Sequence, residues 1–323
     1  MTSIKKVLDL IATFSNEQKA VLMRAMSEQD SPTTQTSFGN LEKSMDMDAI
    51  ECPHCASPFI KKFGNFNGRK RYRCGICRKT FTCLTKTPIS STKYPEKWDL
   101  FVSYCVEGFS LRKIADKLDI HVATAFDWRH KLMNVYTSNQ KLTGIAEADE
   151  TFFLYSEKGS RSISNRRPRK RGGKAKTAGI SSEQVPVIVG KDRQSNLIVG
   201  VAGKGRVSAK DIGKVLETHI DKNATLCTDA HPSFKAFAKA NNLKVIQLNI
   251  SKGKRVLRKK YHIQNVNNAH SSMKRWMAKF NGVSTKYLQN YMNWFCLLEE
   301  TKDEPNRSQA FALKTLEVVK HEE

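Results

Sequence analysis

The chain has 323 residues, enough for two or three compact units at the usual domain size of about 100 to 200 residues. Its 55 Lys and Arg against 31 Asp and Glu leave a formal charge of +24, which repels itself unless a polyanion meets it, so nucleic acid is the expected partner. No stretch reaches the roughly 20 apolar residues of a membrane span, and MTSIKKVLDLIATF has Asp9 in its apolar run and no small-residue cleavage site, so the expectation is a cytoplasmic protein without membrane association.

Ile4, Val7, Leu8 and Ile11, then Val21, Leu22 and Met26, predict two short helices over residues 4 to 26, with Ser15 and Gln18 placed as a capping box between them. The polar run SEQDSPTTQTSFGN has no periodicity and reads as a linker. Beyond it come Cys52-Pro-His-Cys55 and Cys74-Gly-Ile-Cys77, two CxxC knuckles 18 residues apart. At that separation two tight turns present four thiolates to one tetrahedral Zn²⁺, so a zinc ribbon is expected, with zinc in a structural role. The other cysteines, Cys83, Cys105, Cys227 and Cys296, are scattered and read as packing residues. Lys61, Lys62, Arg69, Lys70, Arg71, Arg73, Arg78 and Lys79 alternate with Phe59, Phe63, Phe66, Tyr72 and Phe81, and no acid occurs between Glu51 and Glu96. A few aromatics are expected to form the ribbon's small core while the cations face DNA.

Trp98, Leu100, Phe101 and Cys105 form an apolar helical stripe that Gly108 interrupts. SLRKIADKLDIHVATAFDWRHKL then reads as helix, turn, helix, with Leu111, Ile114, Ala115 and Leu118 on the first helix and Val122 to Leu132 on the second. In such a unit the early exposed residues of the second helix touch bases. Here these are His121, Ala123, Thr124 and Asp127, with Arg129 and Lys131 available for phosphates.

After Gly144 the pattern changes to period two and to β-branched runs, IAEADETFFLY, VPVIVG, NLIVGVAG and ATLCTDA, with KVIQLN after a helical stretch. In AEADETFFLY the residues Glu147, Asp149 and Thr151 share one face of a strand. Acids buried there are costly unless they hold a cation, and ATLCTDAHPSF brings Asp229 to the end of another strand. Two carboxylates on adjacent strands suit divalent metal in phosphoryl transfer. Glu147 and Glu150 rank behind this pair. Arg166, Arg167, Arg169, Lys170 and Arg171 follow the Asp149 strand, and Lys259 and Lys260 follow Lys252, Lys254, Arg255 and Arg258. Both runs are expected to clamp substrate phosphates.

ADETFF, RRPRKRGGKA, EQVPVIV, LCTDAHPSFKAFAK and YHIQNVNNAHSSMKRWMAKFNGVSTKYLQNYMNWF, in this order, closely resemble the ISXO-type insertion-sequence transposases over roughly residues 48 to 298. The resemblance implies an α/β multidomain protein: a ribonuclease-H-like mixed sheet flanked by helices, preceded by a zinc ribbon and a helical helix-turn-helix unit. It also implies Mg²⁺ or Mn²⁺, with Asp149 and Asp229 as ligands, and nicking followed by strand transfer at element ends. The third position of the triad falls on Asn267, in its asparagine variant, and the basic residue two helical turns later on Lys274. Where many relatives carry Glu, Asn267 offers only a neutral carbonyl oxygen. No Asp or Glu lies between Asp229 and Glu299, so Asn267 is expected on a helix face with His270, Ser271 and Lys274, and Glu299 or Glu300 is the alternative source of a third acid.

The expected segments are a short helical segment and linker (1–47), zinc ribbon (48–90), helix-turn-helix (91–137), catalytic domain (138–305) and C-terminal tail (306–323). The expected partners are double-stranded DNA, as terminal inverted repeats and target, and further copies of the chain, because two DNA ends must meet; in a bacterial cell the bound form belongs with the nucleoid. The competing readings are a non-catalytic, sequence-specific DNA-binding protein derived from a decayed transposase, which Asn267 keeps open while Asp149 and Asp229 favour the enzyme, and an RNA-processing nuclease of the same fold, which the ribbon and helix-turn-helix disfavour.

Overall fold

The computed structural model describes Ser15 and residues 51–136, 138–163, 167, 172–249 and 255–317. The helices expected over residues 4 to 26 lie outside the described residues. The chain divides into two compact units, one comprising residues up to 86 together with 90–103, the other 87–89 together with 104 onward.

In the first unit β1 (Ile60–Phe66), β2 (Arg69–Cys74) and β3 (Thr80–Phe81) form an antiparallel sheet in that order. Asn67 and Gly68 both take positive φ, 49° and 77°, which is what a two-residue hairpin of the right-handed twist requires. The core is small: Cys52, Tyr72, Cys74 and Phe81 are buried, and the Tyr72 and Phe81 rings stack at 5.7 Å. Phe59, Phe63 and Phe66 are instead exposed, with the Arg71 and Arg73 guanidinium groups 4.9 and 5.3 Å from the Phe63 ring.

Helix α1 (Trp98–Val106) leads to α2 (Leu111–Leu118) and α3 (Val122–Asn134). Ser110 Oγ accepts from Lys113 N to cap α2, Asp119 takes the left-handed conformation at its end, and His121 caps α3. Both α2 and α3 belong to the same unit as the large sheet.

That sheet is built from β4 (Ile145–Leu154), β5 (Gln184–Asp192), β6 (Leu197–Val201), β7 (Thr225–Asp229) and β8 (Lys244–Leu248), with α4 (Ala209–Leu216) before β7 and α5 (Pro232–Ala240) before β8. The spatial order is β6-β5-β4-β7-β8: an antiparallel meander extended from its first strand by two parallel strands, the ribonuclease-H-like order. One face carries Ala146, Ala148, Ile188 and Ile198 into a core with Ile212, Val215 and Leu216 of α4 and Phe234 and Phe237 of α5. A Cβ on Gly200 would lie 2.7 Å from the Val215 methyl groups, so a glycine there lets α4 sit against the strand.

α6 (Gln264–Ala278) packs against β4 and β5, and α7 (Leu288–Glu300) against β6 and α3. The segment read from the sequence as a C-terminal tail contains a further helix, α8 (Arg307–Glu317), whose Phe311 and Ala312 are fully buried. Its apolar residues are too few for a periodic signal, and packing supplies the rest.

Candidate functional site

The parallel pairing of β4 with β7 sets Ala146 opposite Leu226 and Glu147 opposite Cys227. Continued by two residues, that register sets Asp149 opposite Asp229, and the Asp229 charge acts on the Asp149 carboxyl. Since Ala146 and Ala148 point into the core, the alternation turns Glu147, Asp149 and Thr151 toward the opposite face. Burial, and then the charges of Glu150 and Asp229, raise the Asp149 carboxyl to about 7, while Lys274 acts in the other direction. Glu150, on the alternate side of β4, is also raised, by burial first and then by Asp229. At the end of β7, Asp229 Oδ1 accepts from His231 N at 2.9 Å. Acidic repulsion in a half-buried pocket is relieved by a cation.

The helix opposite is α6. Asn267, Ser271 and Lys274 are exposed on it at i, i+4 and i+7, and His270 lies buried beneath them with Nδ1 3.8 Å from Asp149 Oδ2. Burial, then Lys274, holds the His270 imidazole down near 4, so it is neutral at neutral pH.

Glu147, ranked from the sequence as a possible helper of the metal, has a different task. Its carboxylate is completely buried, 2.6 Å from Arg193 Nη1 and 3.3 Å from His262 Nδ1. It also accepts from the backbone N–H groups of Asn265 and Val266 at 2.8 and 3.0 Å and from Asn265 Nδ2 at 3.0 Å. These are first-turn N–H groups of α6, which have no partner within the helix, and an acid there also meets the positive end of the helix dipole. Arg193 Nη2 donates in turn to Lys260 O at 3.0 Å, so one carboxylate ties β4, the β5–β6 turn and the entry to α6 together. Glu147→Ala is expected to destabilise the fold by about 3–5 kcal/mol, because it strands Arg193 and the helix start. A loss below about 1 kcal/mol in urea unfolding would contradict that role. The sequence signal for this network was an acid in the middle of a strand, a charge that needs a partner once buried; nothing local identified Arg193, His262 or Asn265.

Glu300, the alternative third acid, is occupied elsewhere: Tyr136 OH donates to its Oε2 at 2.7 Å and Lys314 Nζ lies 2.8 Å from its Oε1.

In the ribbon the four Sγ atoms of Cys52, Cys55, Cys74 and Cys77 lie within 4.8 Å of one another, with Cys52–Cys77 and Cys55–Cys74 at 3.7 and 3.6 Å. A Zn–S bond of about 2.3 Å in a tetrahedron sets sulfur atoms about 3.8 Å apart, so the thiolates fit zinc. Backbone N–H groups of His54, Ile76 and Cys77 point at Cys52 and Cys74 sulfur at 3.3 to 3.4 Å, as thiolate charge demands. His54 is no ligand of this group, and among the described residues no other set of three Cys, His, Asp or Glu ligand atoms converges this closely.

Of the expected DNA contacts, His121 is exposed and its Nδ1 accepts from Ala123 N at 3.2 Å, and Thr124 is half-buried. Arg129 requires correction. It is 2% exposed, its Nη2 donates to Phe109 O at 2.8 Å, and its guanidinium lies 4.8 Å over the Trp294 ring. Packing of α3 on α7 buries it, so it is a structural residue that no phosphate reaches. The same contact, with Asn293 Nδ2 donating to Met133 O, covers the second half of α3 and leaves only its first turns and the side bearing Asp127 and Lys131 open. Arg167, Lys259 and Lys260 are exposed. Arg166, Arg169, Lys170 and Arg171 lie outside the described residues, as do Lys252 and Lys254. Among the described residues no helix is long and apolar enough to cross a membrane.

Residues 141–296 match the family model of the ISXO2-like transposase domain. An uncharacterized protein in transposable element ISH50 of Halobacterium salinarum is 24% identical over 272 residues, spanning 83% of this chain and 90% of that protein. Among solved structures, a simian T-cell lymphotropic virus intasome in complex with a PP2A regulatory subunit is 10% identical, covering 60% of this chain and 64% of the other, with a TM-score of 0.29. A pre-cleavage Mos1 transpososome is 12% identical over 67% and 78% of the two chains, with a TM-score of 0.22. Scores this low bear on neither mechanism nor substrate.

Proposed function

This chain carries an ISXO2-like transposase domain over residues 141–296, and we propose that it cuts DNA at the ends of a mobile element and transfers the freed strand to a target, using Mg²⁺ or Mn²⁺. The observation that supports this most is the placement of Asp149 and Asp229 on the adjacent parallel strands β4 and β7, near enough for the Asp229 charge to act on Asp149, beside the α6 face that carries Asn267 and Lys274.

Asp149 and Asp229 would hold the divalent ion, with the Asn267 side-chain oxygen as a neutral third ligand. When bound, such an ion lowers the pKa of a water or 3′-hydroxyl nucleophile and neutralises charge on the leaving oxygen. The chain's own residues do the remainder. Lys274, exposed two turns along the helix, meets the scissile phosphate as a cation. His270, neutral and buried, fills the space behind Asp149 and limits how far that carboxylate can rotate. Glu147 keeps α6 at the depth that sets Asn267 opposite the acids. DNA is held by the exposed start of α3, by the exposed cations around Lys259 and Lys260, and by the run containing Arg166, Arg167, Arg169, Lys170 and Arg171. Two element ends require two active sites, so we place the working form as an oligomer on DNA. The segment boundaries read from the sequence stand as part of this proposal, with α2 and α3 working from the body of the sheet unit.

The test is divalent-metal-dependent cleavage of duplexes carrying the repeats that flank the gene. Asn267→Ala is expected to cut at least about tenfold more slowly and to need more Mg²⁺, because it removes a ligand that carries no charge; Asn267→Asp is expected to keep cutting. Glu299→Ala with Glu300→Ala is expected to leave the cleavage rate of folded protein unchanged, but to cost about 1–3 kcal/mol of stability through the orphaned Tyr136 hydroxyl. Full cleavage by Asn267→Ala at low Mg²⁺ would remove Asn267 from the site.

A further inference from the structure

A cavity of about 1030 Å³ lies wholly within the sheet-bearing unit, walled by the start of α2, the segment leaving β4 and the turn between α6 and α7. It is separate from the acids. From Asp149 to Tyr155 is six strand residues, and from Asn267 to Phe280 is thirteen mostly helical ones; at the usual rises both routes put the cavity about 20 Å from the metal site.

Its walls are fastened to each other. Lys158 Nζ donates to the carbonyl oxygens of Phe280, Asn281 and Gly282 at 3.1, 3.2 and 2.6 Å, closing the end of α6 against the β4 exit. Thr285 N donates to Ser156 O, and Ser156 N to Thr285 Oγ1, both at 2.8 Å. The hollow is therefore part of the fold, and Lys158 serves as a structural tie.

The lining chemistry is aromatic faces topped by ammonium groups. Lys204 sits 3.7 Å from the Tyr155 ring centre and Lys286 4.6 Å from that of Tyr287. Tyr287 is backed by His130, stacked at 4.2 Å, which fixes the plane of its ring. Lysines 158, 204, 279 and 286 line the cavity, and Glu157 is the one acid among the described lining residues. Flat π-faces beside flexible cations are what single-stranded nucleic acid requires, since every base can stack and every phosphate can be met. A base stacked on a ring is held more strongly than an exposed ammonium, so Lys204 and Lys286 are free to move from ring to phosphate when a strand enters. The volume admits a few unstacked nucleotides; a duplex is too wide.

We propose that this cavity takes an unpaired stretch of DNA strand, with bases on Tyr155 and Tyr287 and phosphates on Lys204, Lys279 and Lys286. The choice of DNA rests on the transposase reading and extends it. At about 3.4 Å per stacked nucleotide, the unpaired stretch falls within about six nucleotides of the cut.

The experiment uses the full chain without added Mg²⁺ or Mn²⁺ and measures binding of a thymidine hexanucleotide, an abasic hexanucleotide of equal charge and a duplex. Wild type is expected to bind the thymidine strand roughly tenfold more tightly than the abasic one. Tyr155→Ala with Tyr287→Ala should erase that difference and leave duplex binding unchanged, whereas Lys204→Ala with Lys279→Ala should weaken both single strands alike. On unmodified protein, a strand carrying 5-iodouracil should crosslink to Tyr155 or Tyr287, which tests the site even where the double alanine variant fails to fold. Equal affinity of wild type for the two single strands, or crosslinks only elsewhere, overturns the proposal. Because no divalent ion is added, that failure concerns the cavity alone, and failed cleavage in the Asn267 experiment concerns the reaction alone.

Discussion

Asp149→Asn and Asp229→Asn are each expected to lose DNA strand cleavage by at least about three orders of magnitude while binding DNA as tightly as the parent chain. On the proposed reading, each change removes one of the two charged ligands and no phosphate contact. A metal ion contributes several kcal/mol to such a transition state, at about 1.4 kcal/mol per tenfold in rate. Cleavage assays beside gel-shift titrations separate the two effects, and a variant that cut at the parental rate would remove that residue from the metal site.

The same substitution has a signature that does not depend on activity. Burial, followed by the charges of Glu150 and Asp229, raises the folded Asp149 carboxyl from 3.8 to about 7. Between those values the folded chain keeps a proton that the unfolded chain has lost, so this group's contribution to stability falls as pH rises from about 4 to about 7 and is level above. At about 1.4 kcal/mol per pH unit, the cost of the ionised group is bounded at about 4 kcal/mol. Without divalent metal at pH 8, Asp149→Asn is therefore expected to be more stable than the parent, with the difference vanishing near pH 4. Mg²⁺ or Mn²⁺ should raise the parental Tm and leave the variant's nearly unmoved. A variant that melts below the parent at pH 8 would show that the acids do not strain the site.

Removing zinc is expected to unfold the ribbon while the sheet-bearing unit stays folded. The ribbon's core is Cys52, Tyr72, Cys74 and Phe81, and two of these four belong to the four-cysteine cluster that fits zinc. Binding of structural zinc contributes roughly 10–16 kcal/mol in small fingers at neutral pH, far more than two buried rings. A chelator, or Cys74→Ser, should make residues 51–86 sensitive to proteolysis and leave the thermal transition of the remaining helices and strands in place. Elemental analysis should find one zinc per chain, absent from the variant. DNA affinity is expected to fall with it, since Arg71, Arg73 and the exposed Phe59, Phe63 and Phe66 keep their arrangement only while β1 and β2 are paired. Protection of residues 51–86 in the chelated protein would refute the zinc dependence.

Much of this was legible along the chain because the signals are local. Thiolate spacing, the alternation of AEADETFFLY and the apolar stripes of α2 and α3 each depend on backbone period and on neighbours within a few residues. The four cysteines converge, and the Asp149 and Asp229 strands lie side by side in the sheet. Arg129 shows the limit. Its place on the second helix of a helix-turn-helix pattern made it a phosphate contact, and only the packing of α7, more than 150 residues later in the chain, buries it against Trp294. Helix α8 was missed for a related reason, since Phe311 and Ala312 make a buried face only against partners that the local pattern does not contain.

By itself the sequence determined the chemistry available: four thiolates, two strand acids, an asparagine where an acid is usual, and an excess of cations. The tertiary structure alone decided which of those groups are free to use it. A buried charge must be compensated by whatever the fold brings near, so Glu147 became the anchor of α6 once Arg193, His262 and the first N–H groups of that helix surrounded it. Glu300 was withdrawn by Tyr136 and Lys314, and Lys158 by three carbonyl oxygens at the end of α6. Residue type and spacing specify what a side chain can do; desolvation and partners set by contacts distant in sequence specify what it is left to do.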